Sequence, residues 1–369
     1  MNNNNFQTFF DCGFSKLRAG TFNRNNTDEA FYFESEYLTD KSNPQFMIQE
    51  MITYLEESTN EYIDNINLMI DSPQMISVAI SLSKKFERSK LKQTNIQFLV
   101  QEAKQQILKN YTDYSIAHII INNYKIDDVD YSYLPDEIKC NHISLEILFI
   151  CLPNDLVLYY KNIFSKSNIL IDQIICSSYA KSINYKDNLN SSDYISFIDV
   201  GFNKTSIISY LNDKILSLDV LPIGGNHITK DISQILKIDL EQSEKVKLNF
   251  VQNPKPLKDN DVSIETLQKV IFARTEEILE LCSKSIETNS HKLDKFKIVL
   301  MGEGAKILDN KHQDNIYFSN DMNFLEETLE DICQSGFKFI AGLNKHEVVI
   351  IPKKQLKQGF FEKLFHLFR

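Results

Sequence analysis

The sequence predicts an α/β fold built on a duplicated domain. Two apolar runs end alike, Phe9-Phe10-Asp11-Cys12-Gly13 and Phe197-Ile198-Asp199-Val200-Gly201. They lie about 190 residues apart, as two copies of one domain would. Between and after them, short apolar runs of strand length alternate with segments of helical period. Glycine is the third signal: the chain has ten, where average usage gives about 26. The few present, such as Gly13, Gly201, Gly224, Gly225, Gly302 and Gly304, therefore mark special turns.

The elements follow in order. Phe6 to Cys12, Leu17 to Phe22 and Ala30 to Phe33 read as strands, the first closed by a tight turn. Phe46, Ile48, Met51, Ile52, Leu55 and Ile63 recur at helical spacing within Gln45 to Asn65, and Ile66 to Asp71 is a buried strand. Residues 76 to 160 read as an inserted unit. It holds strands Ile76 to Leu82, Ala117 to Ile126 and His142 to Cys151, with helices Ile96 to Leu108 and Asp155 to Phe164. After strand Ile169 to Cys176 the opening pattern repeats, with strands Tyr194 to Val200, Lys204 to Tyr210 and Lys214 to Leu221. Gly224-Gly225-Asn226 then turns into helix His227 to Leu236, followed by helices Leu240 to Phe250 and Ile264 to Ile286. Two prolines within Gln252 to Asp261 mark a loop. Strand Lys297 to Met301 ends in Gly302-Glu303-Gly304, and Glu347 to Ile351 is the last strand.

Composition narrows the function classes. A length of 369 residues suggests two or three folding units. With 43% hydrophobic and 24% charged residues, the chain is neither disordered nor fibrous. No apolar run approaches the ~18 residues of a membrane-spanning helix. The Asn-rich opening has neither basic segment nor apolar core, so no secretory signal is expected. Six scattered cysteines without a Cys-x-x-Cys pair predict neither a disulfide framework nor a zinc site, and fit a reducing cytosol. A net charge of −10 argues against nucleic acid as partner.

The repeated turns suit phosphate chemistry. Backbone N–H groups in a glycine turn can cradle a phosphate tail, and a carboxylate at the end of a buried strand can hold the accompanying metal through water. Two facing copies would clamp the phosphates, and a Gly-x-Gly turn after a third strand would let a nucleoside lie against the backbone.

These motifs, taken together, resemble the actin-like ATPases and, within them, the FtsA family of bacterial cell-division proteins. Leu221-Pro222-Ile223-Gly224-Gly225-Asn226-His227-Ile228-Thr229-Lys230-Asp231-Ile232, followed by Leu240 to Lys247, is similar to the family's Gly-Gly-Asn/Asp signature and the helix after it. Phe10 to Leu17 resembles its first phosphate turn, and Ile298 to Ala305 its adenosine strand and turn. The resemblance implies duplicated actin-like, ribonuclease H-like domains around a nucleotide cleft, with an inserted small α/β subdomain, 1C. It assigns residues 1–75 and 161–193 to subdomain 1A, 76–160 to 1C, 194–225 and 296–350 to 2A, and 226–295 to 2B. Residues 351–369 become a linker and an amphipathic membrane-targeting helix. The implied cofactors are ATP and Mg2+. The resemblance places Asp11, Gly13, Ser15 and Lys16 in the first phosphate loop. Asp199, Gly201 and Asn203 fall in the second, with Asp11 and Asp199 toward the metal and Asp199 as the catalytic candidate. Gly224, Gly225 and Asn226 line the cleft, Glu244 and Lys247 lie near ribose and adenine, and Gly302, Gly304 and Ala305 form the adenosine turn. The implied partners are the C-terminal tail of FtsZ, further copies of the chain in filaments, later division proteins and the anionic inner-membrane surface. The implied location is the cytoplasmic face of the membrane at the septum.

The second turn departs from the family's Asp-x-Gly-Gly-Gly-Thr: here it runs Asp199-Val200-Gly201-Phe202-Asn203-Lys204, which predicts at most slow ATP turnover. Two other readings stay open: a non-hydrolysing scaffold on this fold, and an adaptor like the pilus protein PilM. The C-terminus gives an independent signal. Wound as a helix after Gly359, Phe360, Phe361, Leu364, Phe365, Leu367 and Phe368 fall within an arc of about 160°. Lys363, Glu362, His366 and Arg369 take the other side. Lys353, Lys354, Lys357, Lys363 and Arg369 face a single acidic residue, Glu362, in an otherwise acidic chain. This predicts a helix lying in an anionic membrane surface.

Overall fold

The computed structural model describes residues 5–26, 28–36, 43–135, 138–189, 194–212, 214–252, 264–289, 297–308, 322–343 and 347. The expected C-terminal helix, and the expected strand after Glu347, lie outside the described residues.

Strands β1 (Phe6–Cys12), β2 (Lys16–Asn23) and β3 (Ala30–Glu36) form an antiparallel meander, with Asp11 opposite Arg18 across the first turn. Helix α1 (Pro44–Thr59) is entered through Asn43, whose side chain accepts a bond from the Gln45 N–H, and it buries Met47, Ile48, Met51, Ile52 and Leu55. It ends at Asn60 in the left-handed region. β4 (Asn65–Ile70) returns parallel to β1.

Residues 76–153 then build a sheet of their own. β5 (Ile76–Lys90), β6 (Tyr114–Ile126), β7 (Val129–Tyr131) and β8 (Lys139–Pro153) pair antiparallel in the order β5-β8-β6-β7. α2 (Gln93–Asn110) lays Ile96, Leu99, Val100, Ala103 and Ile107 into the same core as Ile119, Ile121, Leu145, Ile147 and Phe149. β5 runs well past the expected Leu82 because the ladder to β8 continues through its polar half, Ser83 pairing with Ser144 and Ser89 with Cys140.

α3 (Asn154–Lys166) packs Phe164 on Phe10, and β9 (Leu170–Cys176) completes the first sheet in the order β3-β2-β1-β4-β9. α4 (Ser177–Asn188) follows directly. No apolar period marks it, because its buried side chains include Ser177, Ser178, Lys181, Ser182 and Asn184.

The second half repeats the first. β10 (Tyr194–Val200), β11 (Thr205–Leu211) and β12 (Lys214–Leu221) form the meander, and β13 (Lys297–Met301) and β14 (Met322–Phe324) add in parallel. The order β12-β11-β10-β13-β14 is that of the first sheet, element for element. α5 (Gly225–Leu236), α6 (Leu240–Gln252) and α7 (Ile264–Asn289) stand between β12 and β13, with Ile228, Ile232, Phe250, Leu267 and Ile271 in a separate small core. A short α8 (Ala305–Leu308) follows β13.

α9 (Leu329–Lys338) crosses back to the first sheet. Thr328 and Asp331 cap it reciprocally, and Phe337 stacks on Phe22 at 4.8 Å. Gly336 permits the approach: a Cβ there would lie 2.5 Å from the Met69 sulfur and 2.8 Å from the Phe9 ring. Apolar residues of both sheets, among them Phe9, Leu68, Phe197, Ile208 and Val299, belong to one continuous core. The two lobes therefore share a base, and ion pairs join their glycine turns, Lys204 to Asp71 and Lys16 to Glu303.

Candidate functional site

Each half brings an aspartate to the end of a buried strand. Asp11 and Asp199 are each the next-to-last residue of their strands, β1 and β10. The two turns that follow have the same geometry: the Gly13 N–H donates to the Lys16 carbonyl at 3.0 Å, and the Gly201 N–H to the Lys204 carbonyl at 2.8 Å. The repeat thus extends further than its Asp-x-Gly core. Asp11-Cys12-Gly13-Phe14-Ser15-Lys16 matches Asp199-Val200-Gly201-Phe202-Asn203-Lys204 as Asp-x-Gly-Phe-x-Lys.

The carboxylates are met by the chain's own cations. Asp11 accepts from Arg18 Nη1 at 3.1 Å and from Ser177 Oγ at 2.7 Å. Asp199 accepts from Lys181 Nζ at 3.0 Å, and Lys181 also reaches Glu327 at 3.2 Å. Lys204 Nζ crosses the cleft to Asp71, just after β4, at 2.9 Å. In the other direction Arg18 Nη2 and Lys16 Nζ reach Glu303, just after β13, at 2.7 and 3.0 Å. Lys204, Lys181, Asp71, Asp199 and Glu327 all have side chains at most 10% exposed.

Burial sets the electrostatics, and the partners then decide the direction. Burial alone would raise the Asp71 carboxyl, but Lys204 outweighs it and holds it below its usual value. Burial would likewise lower the Lys204 and Lys181 ammonium groups. Asp71 and Asp199 outweigh it at Lys204, and Asp199, Glu327 and Asp11 at Lys181, so both stay charged. Glu303 is pushed up by burial and pulled below its usual value by Arg18 and Lys16. Glu327 goes the other way: burial raises it, Lys181 opposes, and neighbouring Asp199 adds to the rise.

The remaining expected site residues fall around this cluster. Ser15 sits half-buried in the first turn. Asn203 accepts from the Asn226 side chain at 2.9 Å, tying the second turn to the start of α5. The Gly225 and Asn226 N–H groups donate to the carbonyls of Gly201 and Phe202, and the Gly224 N–H to His227 Nδ1. Glu244 and Lys247 pair at 2.7 Å on α6, and Lys247 also holds Thr229 and the Gly225 carbonyl of α5. Burial lowers the Lys247 ammonium against the pull of Glu244. The Gly302 N–H donates to Glu327 at 2.7 Å, the Gly304 N–H to the Val200 carbonyl at 2.9 Å, and buried Ala305 to the Gly302 carbonyl at 3.1 Å. Gly302 has φ +88°, and a Cβ on it would stand 2.4 Å from Asp199 Oδ1.

Four residues at the centre of the cluster are absent from the sequence-based site: Lys181, Lys204, Asp71 and Glu327. Only Lys204 carries a sequence signal, the sixth place of the repeated turn that Lys16 fills in the first copy. The others lie on elements that only folding brings together.

The architecture and sequence are similar to known proteins. A family model described as cell division protein FtsA matches residues 196–334. The FtsA of Buchnera aphidicola subsp. Schizaphis graminum is 24% identical over 298 residues, 73% of this chain and 69% of that protein. That of Buchnera aphidicola subsp. Acyrthosiphon pisum is 23% identical over 351 residues, 83% and 82% of the two chains. Among solved structures, a chain of a PilM–PilN type IV pilus biogenesis complex superposes with TM-score 0.63 at 13% identity, covering 92% of this chain and 96% of that one. The ethanolamine utilization protein EutJ from Carboxydothermus hydrogenoformans gives 0.52 at 9% identity, over 90% and 88%. The fold is that of the actin-like ATPases.

That fold implies a nucleotide between the lobes. The residues present do not fit Mg2+ and a triphosphate in this arrangement. The Gly13, Gly201, Gly225, Asn226, Gly302 and Gly304 N–H groups are all donated within the protein. Asp11 and Asp199 already face Arg18 and Lys181.

Proposed function

We propose that this chain, a divergent member of the FtsA family, is a cell-division scaffold that joins the division machinery to the cytoplasmic face of the membrane and does not turn over ATP. The observation that carries this reading is the internally satisfied pair of Asp-x-Gly turns, set in a chain similar to FtsA over most of its length. The scaffold would take the C-terminal tail of FtsZ on subdomain 2B, residues 226–295, assemble into filaments through its main lobes with 1C against the next copy, and recruit later division proteins. Its surface anchor would be the helix from Phe360, with Phe361, Leu364, Phe365, Leu367 and Phe368 in the headgroup region and Lys363 toward anionic lipid. Such a short anchor binds weakly alone, and a filament would multiply it by avidity.

Two measurements on the purified chain test the proposal. A labelled FtsZ tail peptide is expected to bind the full chain and not a chain whose residues 226–295 are replaced. The full chain is expected to float with anionic vesicles, and a chain ending at Gln358 or carrying Phe361→Glu and Phe365→Glu is not. Equal peptide binding by both chains, or equal flotation by all three, overturns the respective assignment.

A second reading, an adaptor of the PilM kind, is favoured by the superposition on the PilM–PilN complex over nearly the whole of both chains. Binding of a PilN-type peptide in place of the FtsZ tail would select it.

A further inference from the structure

The two halves of this protein are equivalent strand for strand, so equivalent positions can be compared. Lys16 and Lys204 hold the sixth place of the two Asp-x-Gly-Phe-x-Lys turns. Asp71 and Glu303 also correspond: Asp71 follows β4, the parallel partner of β1, and Glu303 lies just past β13, the parallel partner of β10. Each lysine meets a carboxylate of the opposite lobe, Lys204 with Asp71 at 2.9 Å and Lys16 with Glu303 at 3.0 Å, while Lys16 also pairs with Glu36 and Glu34 of its own lobe at 2.8 and 3.2 Å. Arg18 reinforces the second contact at 2.7 Å, and Lys181 of the first lobe adds a third crossing to Asp199 at 3.0 Å. A bridging ligand in such a cleft draws two lobes together by offering charge to both. Here the side chains of each lobe do this directly, at the mouths of the turns where phosphates and a metal would lie.

We propose that the crossed contacts Lys204–Asp71 and Lys16–Glu303 form a reciprocal latch that holds the lobes closed, so that closure in this chain needs neither nucleotide nor divalent cation. The latch replaces the work of a bound ligand with fixed ion pairs between the lobes. It concerns the cleft alone and is independent of the partners on the outer surfaces.

The test measures the separation of the lobes in the full chain. All six cysteines are buried and free, so spin labels can be placed at Glu57→Cys on α1 and Glu276→Cys on α7, both exposed. Pulsed dipolar spectroscopy is expected to give one narrow distance, unchanged by EDTA, by magnesium alone or by millimolar Mg·ATP or Mg·ADP. Lys204→Thr with Lys16→Thr should lengthen and broaden that distance. The charge exchange Lys204→Asp with Asp71→Lys should bring it back. A saturable change of the distance, or of thermal midpoint, when Mg·ATP is added to the unaltered latch overturns the proposal. So does an unchanged narrow distance in the double threonine variant. If that variant does not fold, the ligand arm on the unaltered latch and the charge exchange still decide.

Discussion

Lys204→Met removes the cation from a contact whose two side chains are only 6% and 10% exposed. At 2.9 Å and an effective dielectric of about 20, the Coulomb attraction is about 6 kcal/mol. Desolvation of both groups offsets much of that in the intact pair. Removing one partner alone leaves a buried carboxylate uncompensated, at a cost of about 3–5 kcal/mol. Asp71 keeps the Ser178 N–H and the Cys176 thiol as donors, which places the expected loss nearer the lower figure. With about 2–4 °C of midpoint per kcal/mol in large domains, the variant should melt roughly 6–12 °C below the parent. Lys204→Met with Asp71→Asn removes both charges and should recover most of the loss, to within about 1–2 kcal/mol of the parent. Asp71→Asn alone leaves a buried ammonium near Asp199 and should fall between them. Urea unfolding followed by fluorescence gives the four free energies of the cycle. A coupling below about 1 kcal/mol, the range of exposed pairs, would refute the claim that this contact is buried and energetically central.

The acid limb of stability should carry the same signature. Asp71 and Glu303 titrate below their usual values in the folded protein, so their stabilisation is present above the unfolded value of about 4 and is lost as pH falls through the folded one. Midpoints measured from pH 7 down to 3 should therefore fall less steeply in Lys204→Met with Asp71→Asn than in the parent. The Lys204 contribution runs oppositely, being present below about 10.5 and lost as pH rises through its raised folded value. Gly302→Ala sets a Cβ 2.4 Å from Asp199 Oδ1 at φ +88°, and should cost at least about 2 kcal/mol through left-handed strain and overpacking. A wild-type midpoint in that variant would contradict the packing of the Gly302 turn on β10. Gly336→Val should cost about 1–3 kcal/mol by forcing α9 off β1 and β4, read as faster hydrogen exchange in both strands.

Local rules determined much of this protein from sequence. The alternation of β1, β4, β10 and β13 with α1, α2, α5 and α7 follows from apolar period, because each of these elements buries a continuous apolar face or stripe. The duplication was legible in its paired Asp-x-Gly turns, since a tight turn after a buried strand demands particular residues at fixed spacing. Tertiary structure alone decided what the turns face. α4 escaped the period because many of its buried side chains are polar, and they find partners such as Asp11, Tyr210 and Ser335 on remote segments. The ends of β5 and β8 are polar, and strand pairing rather than hydrophobicity carries them on. Asp71, Lys181 and Glu327 are unremarkable in sequence, as a charge usually marks a solvated face. Their burial beside Lys204 and Asp199 depends on contacts spanning up to 146 residues, and such separations leave no local pattern to read.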